Sequence, residues 1–271
     1  MYKMIVLDLD DTLLRDDHTI SERTKEALMK AQDLGVKVVL ASGRPTYGMR
    51  SIAKELLLHQ YGSYILSFNG GKIIHCESEE ELFSSTLSVE TVEKLYHISK
   101  EEGIHIHTYM GDEIITESMN EFTDIEGELT GMNIREVKSF VSSVNEPVVK
   151  LLMMTNPEEL KVIEKKLQER LHGELSVMRS KPYFLEFTEA DVTKGTSLHT
   201  LIQKLGIEQR EVMAFGDSYN DLAMIEFAGL GVAMGNAPED IKERADLVTD
   251  TNMNDGIAKV IEEYILSVKQ K

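Results

Sequence analysis

The sequence is poor in cysteine, in long apolar runs and in positive charge, and each shortage excludes a class of protein. Cys76 is the only cysteine, so the chain cannot form an internal disulfide, which fits a reducing cytoplasm. No apolar stretch approaches the roughly 20 residues that span a bilayer. The N-terminus has neither the basic segment nor the cleavage site of a signal peptide. We therefore expect a cytoplasmic protein with no membrane partner.

The shortage of positive charge bears on possible partners. The chain has 29 Lys and Arg against 47 Asp and Glu, a net charge of −18, which argues against nucleic acid or an anionic membrane. A small anionic substrate stays possible, because a bound metal ion and a few local cations invert the field inside one pocket. At 271 residues, 42% of them hydrophobic, the chain suits one large or two smaller globular domains, as a monomer or a homodimer.

Strand and helix signals alternate at both ends of the chain. Residues 4–9 (MIVLDL) and 36–41 (VKVVLA) are the short β-branched runs of buried parallel strands. Between them residues 21–35 predict a helix, with Ser21 at its N-cap and Gly35 just past its end. This βαβ unit predicts an α/β fold with a doubly wound parallel sheet. The alternation resumes with a helix over 194–205, a strand over 211–215, a helix near 219–228, a strand over 231–234 and a helix from about 255.

The middle of the chain has a different pattern. Residues 68–74 predict a hairpin that turns at Asn69-Gly70. The strands predicted over the following residues, from about 83 to 189, look antiparallel or mixed, and this pattern predicts an inserted α+β domain. We expect a core of residues 1–82 and 190–271 and an insertion of residues 83–189. The insertion's predicted strands lie at 148–154, 175–180 and 183–187, and its helices near 88–102 and 157–171.

Acidic residues stand where predicted strands end. Asp8 and Asp10 follow the first strand, residues 41–44 (ASGR) follow the second, and residues 216–221 (GDSYND) follow the strand over 211–215. Ligands of open α/β sheets bind outside the carboxyl ends of the strands, so we expect these three loops to meet in one crevice.

The side chains of these loops predict a metal ion that is held by the carboxylates and also binds a phosphate group. Four carboxylates around one point repel each other unless a cation lies among them, and oxygen ligands of this kind suit Mg²⁺. Ser42, the backbone N–H groups after it and Lys194 would donate hydrogen bonds to an anion. The predicted carboxylate set is Asp8, Asp10, Asp217 and Asp221.

The motifs DLDDT, ASGR, a lone Lys194 and GDSYND, in that order, resemble the four motifs of the haloacid dehalogenase (HAD) superfamily. The insertion, KPYFLEF (181–187) and MIEFAGLGVAMGNA (224–237) resemble the Cof-type branch, close to its YidA-like sugar phosphatases. The resemblance covers essentially the whole chain. It implies a Rossmann-like core with an inserted cap. It also implies Mg²⁺-dependent hydrolysis of small phosphorylated metabolites, above all sugar phosphates, through an aspartyl-phosphate.

The resemblance also implies the catalytic roles. Asp8 would be the nucleophile, and Asp10 the general acid and base. The family usually has glycine after its second aspartate, where this chain has Asp11, so the loop requires a φ that glycine adopts freely and aspartate tolerates.

The binding roles follow from the same resemblance. Ser42, the Gly43 backbone and Lys194 would hold the phosphoryl group, and Asn220 would touch it. Arg44 would either contact substrate or lie on the surface. For the metal, Asp217 would bind Mg²⁺ beside Asp8 and the Asp10 carbonyl oxygen, while Asp221 would orient Lys194 or the waters of the metal.

Substrate selection is assigned to the inserted domain, because the motif residues address only the phosphoryl group. Pro182 favours an extended Lys181, so we expect Lys181 and Tyr183 on one side of a strand, with Phe184 packed on the other. Lys181 and Tyr183 would bind sugar hydroxyls or a second anion, or would only support the surface of the cap. His105 and His107 alternate on a possible strand; they would either bind a soft metal, for which no third ligand is near in sequence, or lie on a solvated strand face, which we expect.

Four other functions share parts of this pattern. A phosphomutase of the same superfamily would have the same motifs. A receiver-type signalling domain pairs acids with a lysine, but it lacks an acid two residues after the nucleophile. A non-catalytic phosphoacceptor or binding protein should have lost Asp8, Asp10 or Lys194. Dehalogenation gives Asp10 no role.

Overall fold

The structure, a computed structural model, describes residues 1–267, and these divide into two compact units. The core unit comprises residues 1–83 and the described residues from 193 onward, and the inserted unit comprises residues 84–192. The sequence-based boundaries fall after residues 82 and 189. Which part of the function each unit carries stays a prediction. Over the described range, no helix is both long and apolar enough to span a bilayer.

Fourteen strands are found among the described residues, and their bounds in chain order are as follows. They are β1 (Met4–Leu7), β2 (Lys37–Ala41), β3 (Tyr64–Ser67), β4 (Lys72–His75), β5 (Glu81–Ser84), β6 (His105–Met110), β7 (Glu113–Thr116), β8 (Asn133–Glu136), β9 (Leu151–Met154), β10 (Leu175–Lys181), β11 (Phe184–Glu189), β12 (Val212–Gly216), β13 (Leu230–Ala233) and β14 (Leu247–Val248).

Ten α-helices connect these strands within the same range. They are α1 (Glu22–Asp33), α2 (Arg50–Glu55), α3 (Val89–Glu102), α4 (Glu121–Thr130), α5 (Phe140–Ser143), α6 (Pro157–Arg170), α7 (Lys194–Leu205), α8 (Leu222–Phe227), α9 (Glu239–Lys242) and α10 (Gly256–Ile261).

The core unit is built on an eight-stranded sheet in the order β14-β13-β12-β1-β2-β3-β4-β5. Strand β1 lies in its middle and pairs in parallel with β12 and β2, so Met4 is opposite both Val212 and Lys37. Strands β3 and β4 form the predicted hairpin. The central strands are parallel, as expected for an α/β core.

Both faces of this sheet are buried. Successive side chains of a strand point to opposite faces, so neighbouring residues of β1 pack on different sides of the sheet. Ile5 packs with residues of α1 and α10, including Leu28 and Ile257. Val6 packs on the other face with residues of α7 and α8, including Leu201. Helices cover both faces, so the predicted doubly wound arrangement is confirmed.

The inserted unit has a six-stranded sheet in the order β10-β11-β9-β6-β7-β8. Adjacent strands of this sheet run antiparallel, except for the parallel pair β7 and β8. One face buries apolar residues such as Ile106 and Phe187 against α3, α5 and α6, including Phe140 and Leu160. This unit is the α+β insertion that the sequence predicts.

Two expectations for the inserted unit are wrong. Pro182 and Tyr183 form the turn between β10 and β11, and Lys181 pairs directly with Phe184. Lys181 and Tyr183 therefore do not share one side of a single strand, and Lys181 lies on the same sheet face as Phe184. A proline pre-sets the φ of the first turn position, which favours a turn over a continuous strand here.

The second error concerns His107, which is fully buried rather than solvated. Neither of its ring nitrogens has a hydrogen-bond partner among the described residues. Burial, with a smaller contribution from Lys150, lowers the pKa of His107 to about 3, so the ring is neutral.

Candidate active site

Three loops at the carboxyl ends of neighbouring strands form the candidate active site. Asp8 follows β1, Ser42 follows β2 and Asp217 follows β12. The Asp8 N–H donates to the Phe215 carbonyl oxygen at 3.1 Å, and the Ser42 N–H donates to the Leu66 carbonyl oxygen at 2.9 Å. These bonds continue the ladder past the strand ends, so the loops leave the sheet side by side.

Lys194 is fully buried at the centre of this site. Its Nζ donates to Asp8 Oδ1 at 2.5 Å and to Asp221 Oδ1 at 2.6 Å. Burial alone would lower the pKa of Lys194, but the charges of Asp221 and Asp8 outweigh it and raise the pKa, so the ammonium stays charged. Lys194 begins α7, whose N-cap Thr193 accepts a hydrogen bond from the N–H of Thr196.

Two glycines let the elements around Lys194 approach closely. A Cβ on Gly195 would lie 2.4 Å from the carbonyl oxygen of Ala223, so only glycine lets α7 pack this near α8. A Cβ on Gly216 would lie 2.4 Å from the Cβ of Asp221. The two glycines thus allow Asp221 and Lys194 to meet in the buried interior.

Asp221 braces the loop that carries Asp217. Its Oδ2 accepts the N–H groups of Asp217 at 3.1 Å and Ser218 at 3.0 Å, while its Oδ1 accepts Lys194. Both carboxylate oxygens are therefore engaged, and the side chain is fully buried. The geometry suits the orienting role predicted for Asp221 better than the role of a metal ligand.

The carboxylates of Asp8, Asp217 and Asp221 form a cluster, in which each offers an oxygen and these oxygens lie within 4.8 Å of one another. Burial and then the charge of Asp221 raise the pKa of Asp8 well above its usual value, although Lys194 opposes them. Burial likewise raises the pKa of Asp217 to about 6, against a 2.7 Å hydrogen bond from Thr12 Oγ1. The cluster holds more negative charge than one lysine neutralises, and its oxygen donors fit a divalent cation.

Asp10 lies outside the carboxylate cluster, with its side chain 48% exposed. Arg44 donates two hydrogen bonds to it, from Nε to Oδ2 at 3.0 Å and from Nη2 to Oδ1 at 2.5 Å. The sequence left Arg44 either in contact with substrate or on the surface, and neither alternative included a contact with Asp10. The two parallel hydrogen bonds fix the plane of the Asp10 carboxylate.

Asp11 has the conformation that a glycine would adopt, with a φ of 60°. Its carbonyl oxygen accepts a hydrogen bond from Asn236 Nδ2 at 2.8 Å. The loop geometry expected at this unusual position is confirmed.

Three of the predicted anion-binding residues, Ser42, Gly43 and Asn220, lie around Asn69, which the sequence identified only as a turn. The Asn69 N–H donates to the Ser42 carbonyl oxygen at 2.9 Å, and its Oδ1 accepts from Asn220 Nδ2 at 3.0 Å. A Cβ on Gly43 would lie 3.2 Å from the Asn69 amide group. Asn69 therefore links the loop of Ser42 to the loop of Asn220.

The backbone at Asn69 carries a signal that the sequence only partly shows. Phe68, Asn69 and Gly70 have consecutive positive φ values of 54°, 55° and 96°, which is costly for phenylalanine. The Asn-Gly pair marks the turn, but no sequence pattern says where the Asn69 side chain points. Thr12, which donates to Asp217, ends the DLDDT motif, but no role was predicted for it from the sequence.

The comparisons with known proteins agree with this geometry. Residues 5–261 match the family model of haloacid dehalogenase-like hydrolases. A crystal structure of a haloacid dehalogenase-like hydrolase from Bacteroides thetaiotaomicron is 45% identical, with a TM-score of 0.92 over 97% of this chain and 99% of that one. A solved HAD subclass IIB sugar phosphatase is 28% identical, with a TM-score of 0.80 over 97% and 98%. The 5-amino-6-(5-phospho-D-ribitylamino)uracil phosphatase YcsE of Bacillus subtilis is 32% identical over 97% of this chain and 96% of its own length.

Proposed function

Because the chain belongs to the haloacid dehalogenase-like hydrolases and is a phosphatase, we propose that it hydrolyses small phosphorylated metabolites, above all sugar phosphates, through an aspartyl-phosphate on Asp8. The observation that carries this proposal is the buried Lys194, which binds Asp8 and Asp221 beside Asp217. Two similar proteins support the substrate class. One is named a sugar phosphatase, and the name of the other gives a phosphorylated ribityl group.

Asp8 is the proposed nucleophile. Lys194 holds its Oδ1 through a hydrogen bond of 2.5 Å. In the first displacement an Asp8 oxygen bonds to phosphorus as the phosphorus–oxygen ester bond breaks. Water then attacks the phosphoenzyme, releases inorganic phosphate and regenerates the carboxylate. Dividing hydrolysis into two displacements lets one pocket serve both.

Asp10 is the proposed proton carrier for both displacements. It gives a proton to the leaving alkoxide, and it later accepts one from the attacking water. Acid–base catalysis of this kind contributes about 10²- to 10⁴-fold. Arg44 orients the Asp10 carboxylate through two hydrogen bonds and would release it when a leaving group arrives. Since Asp10 is half-exposed, a substrate oxygen can reach it.

Four groups are proposed to hold the transferring phosphoryl group. Lys194 supplies a buried positive charge, and Ser42, the Gly43 N–H and Asn220 supply neutral donors. Because Asn69 donates to the Ser42 carbonyl oxygen and accepts from Asn220, it is a positioning residue for these donors. Donors fixed before the reaction stabilise developing charge without reorganising.

The proposed cofactor is Mg²⁺. Asp8, Asp217 and the Asp10 carbonyl oxygen would hold it, because both oxygens of Asp221 already accept hydrogen bonds. A bound magnesium ion supplies positive charge that offsets the repulsion between a phosphate ester and these carboxylates. The inserted unit, with Lys181 and Tyr183, is proposed to choose among leaving groups.

Phosphate release from a panel of sugar, polyol and nucleoside phosphates, with Mg²⁺ or with EDTA, tests the proposal. We expect Mg²⁺-dependent release, with sugar and polyol phosphates preferred. Rapid quench with a phosphorus-labelled substrate should trap a label that hydroxylamine removes, as expected of an acyl phosphate. Activity indifferent to EDTA would contradict the metal. Isomerisation without phosphate release would indicate a phosphomutase instead.

A further inference from the structure

The core unit contains a cavity of about 310 Å³, none of whose lining residues belongs to the active site described above. Its floor is apolar and buried, while its rim is polar. Small-molecule sites share this construction of an apolar surface with a few converging polar groups, and they begin at about this volume. The floor consists of Ala53, Ile65, Ile74 and Cys76, and the rim of Thr46, Arg50, Lys54, His59 and Glu79.

The rim has two cations, Arg50 and Lys54, and one anion, Glu79, in a chain whose net charge is −18 with histidine neutral. Arg50 and Lys54 are four residues apart on α2, so their side chains lie on the same face of the helix. An anion that is repelled by most of this protein therefore meets a locally positive opening here. The sign of the rim indicates a ligand with a negative group.

Glu79 occupies the place that the negative group of a ligand would take. Its Oε2 lies 3.2 Å from Arg50 Nη2, and the two side chains are 61% and 49% exposed. Exposed ion pairs of this kind contribute little, so an incoming anion can replace Glu79 at Arg50. Glu79 has a φ of 58° in the turn after β4, where its N–H donates to the His75 carbonyl oxygen.

Cys76 gives the cavity a chemically inert floor. Burial, with a smaller contribution from Glu79, raises the pKa of its thiol to about 12. The thiolate is the reactive form of cysteine, so Cys76 contributes apolar surface rather than redox or nucleophilic chemistry.

We propose that this cavity is a second ligand site, for a small organic anion with an apolar body. The body lies on the floor, and the anionic group replaces Glu79 at Arg50. The occupant also contacts Thr46, whose Oγ1 lies 2.7 Å from the Oγ of Ser67 at the end of β3. The cavity thus borders the loop that continues from Ser42 and Arg44, and the proposal does not depend on the proposed phosphatase substrate.

Binding of 4-phenylbutyrate to the full chain, measured by calorimetry, tests this site. We expect Arg50→Met to weaken binding about tenfold or more, because a charge-assisted hydrogen bond is lost. Arg50→Lys should weaken it less, and Glu79→Gln should strengthen it several-fold by removing the competing carboxylate. The neutral 4-phenylbutanamide and inorganic phosphate should each show no dependence on Arg50.

Arg244→Met is the matched control, because Arg244 also forms an exposed ion pair, with Glu226. It should bind 4-phenylbutyrate as the wild type does. Equal affinity in wild type and Arg50→Met, with circular dichroism showing a folded variant, would overturn the proposal.

Discussion

Lys194 in the core unit and Lys150 in the inserted unit are both buried beside carboxylates, but their surroundings balance charge differently. Lys194 binds Asp8 and Asp221 directly, and Asp217 completes the cluster. Three acids share one lysine there, and burial raises the pKa of Asp8 and of Asp217.

The surroundings of Lys150 come closer to neutrality. Its Nζ donates to Glu186 at 2.9 Å, which pairs one cation with one anion. Glu126, whose charge also acts on Lys150, accepts a 2.6 Å hydrogen bond from the Tyr109 hydroxyl, and burial raises the pKa of Glu126. A proton can therefore satisfy Glu126 without a metal ion.

The comparison teaches that burial of a charged group does not by itself mark a site of chemistry. Both lysines are buried, and both have ion-pair partners. What distinguishes the core unit is a surplus of carboxylates at the carboxyl ends of parallel strands, where loops and not strands supply the ligands. A surplus of this kind destabilises the protein until a cation binds, so it indicates function rather than stability.

The largest expected effect is on phosphatase activity, and it should distinguish the buried Asp8 of the core unit from the buried Glu126 of the inserted unit. Asp8→Asn should lower phosphatase activity by about 10⁴-fold or more, because it removes the proposed nucleophile without changing the shape of the side chain. Glu126→Gln, the matched change in the inserted unit, should stay within a few-fold of wild type on a small aryl phosphate. Substantial activity in freshly purified Asp8→Asn, checked by mass spectrometry for deamidation, would refute the assigned nucleophile.

Added Mg²⁺ should affect the stability of a Lys194 variant differently from that of a Lys150 variant. Lys194→Met and Lys150→Met should each lower the free energy of unfolding by about 3–5 kcal/mol, because buried carboxylates lose their counterion. Added Mg²⁺ should restore part of the loss for Lys194→Met and none for Lys150→Met. Urea denaturation with and without Mg²⁺ measures this, and equal rescue of both variants would remove the distinction between the units.

The acid surplus should also make the stability of the metal-free protein depend on pH. The folded-state pKa of Asp217 is about 6, above the ordinary value of 3.8. The folded state therefore binds more protons, and the contribution of Asp217 to stability falls as pH rises from about 4 to 6. In EDTA, the free energy of unfolding of Asp217→Asn should exceed that of wild type by about 3 kcal/mol above pH 6 and by nearly nothing at pH 4. A constant difference across this range would contradict the raised pKa.

The smallest expected effect concerns the turn of the inserted unit. Tyr183 stacks on Phe122 with ring centroids 5.7 Å apart, so Tyr183→Phe keeps the packing and removes only the hydroxyl. Tyr183→Phe and Lys181→Ala should each change relative kcat/KM among sugar phosphates by about five- to tenfold. Both should leave a small aryl phosphate almost unaffected. A uniform loss on every substrate would make this turn structural only.

The sequence predicted the parts of the molecule that local rules determine. Runs of β-branched residues indicated the buried strands, and the capping residue Ser21 marked the start of α1, where its Oγ accepts the Thr24 N–H. The candidate site followed because acids stood after strands that a parallel sheet brings together. Asp8, Lys194, Asp217 and Asp221 do meet in the structure.

The errors and omissions lie where tertiary contacts decide. The segment 181–187 has the composition of one strand, but Pro182 and Tyr183 turn it back on itself. The pairing of Arg44 with Asp10 depends on loops that follow two different strands. The direction of the Asn69 side chain likewise depends on a distant residue, Asn220. Periodicity carries no information about contacts of this kind.

The order of the central strands has a consequence for the protein's synthesis. Strand β1 lies between β2 and β12, so the middle of the core sheet joins residues about 200 positions apart in the chain. At about 5–20 residues per second, one edge of β1 waits tens of seconds on the ribosome for its partner. The inserted unit is continuous in sequence and can fold during that interval. A nascent chain arrested before β12 should therefore expose one unpaired edge of the hydrophobic strand β1 while the inserted unit is already folded, which is the state that a chaperone would bind.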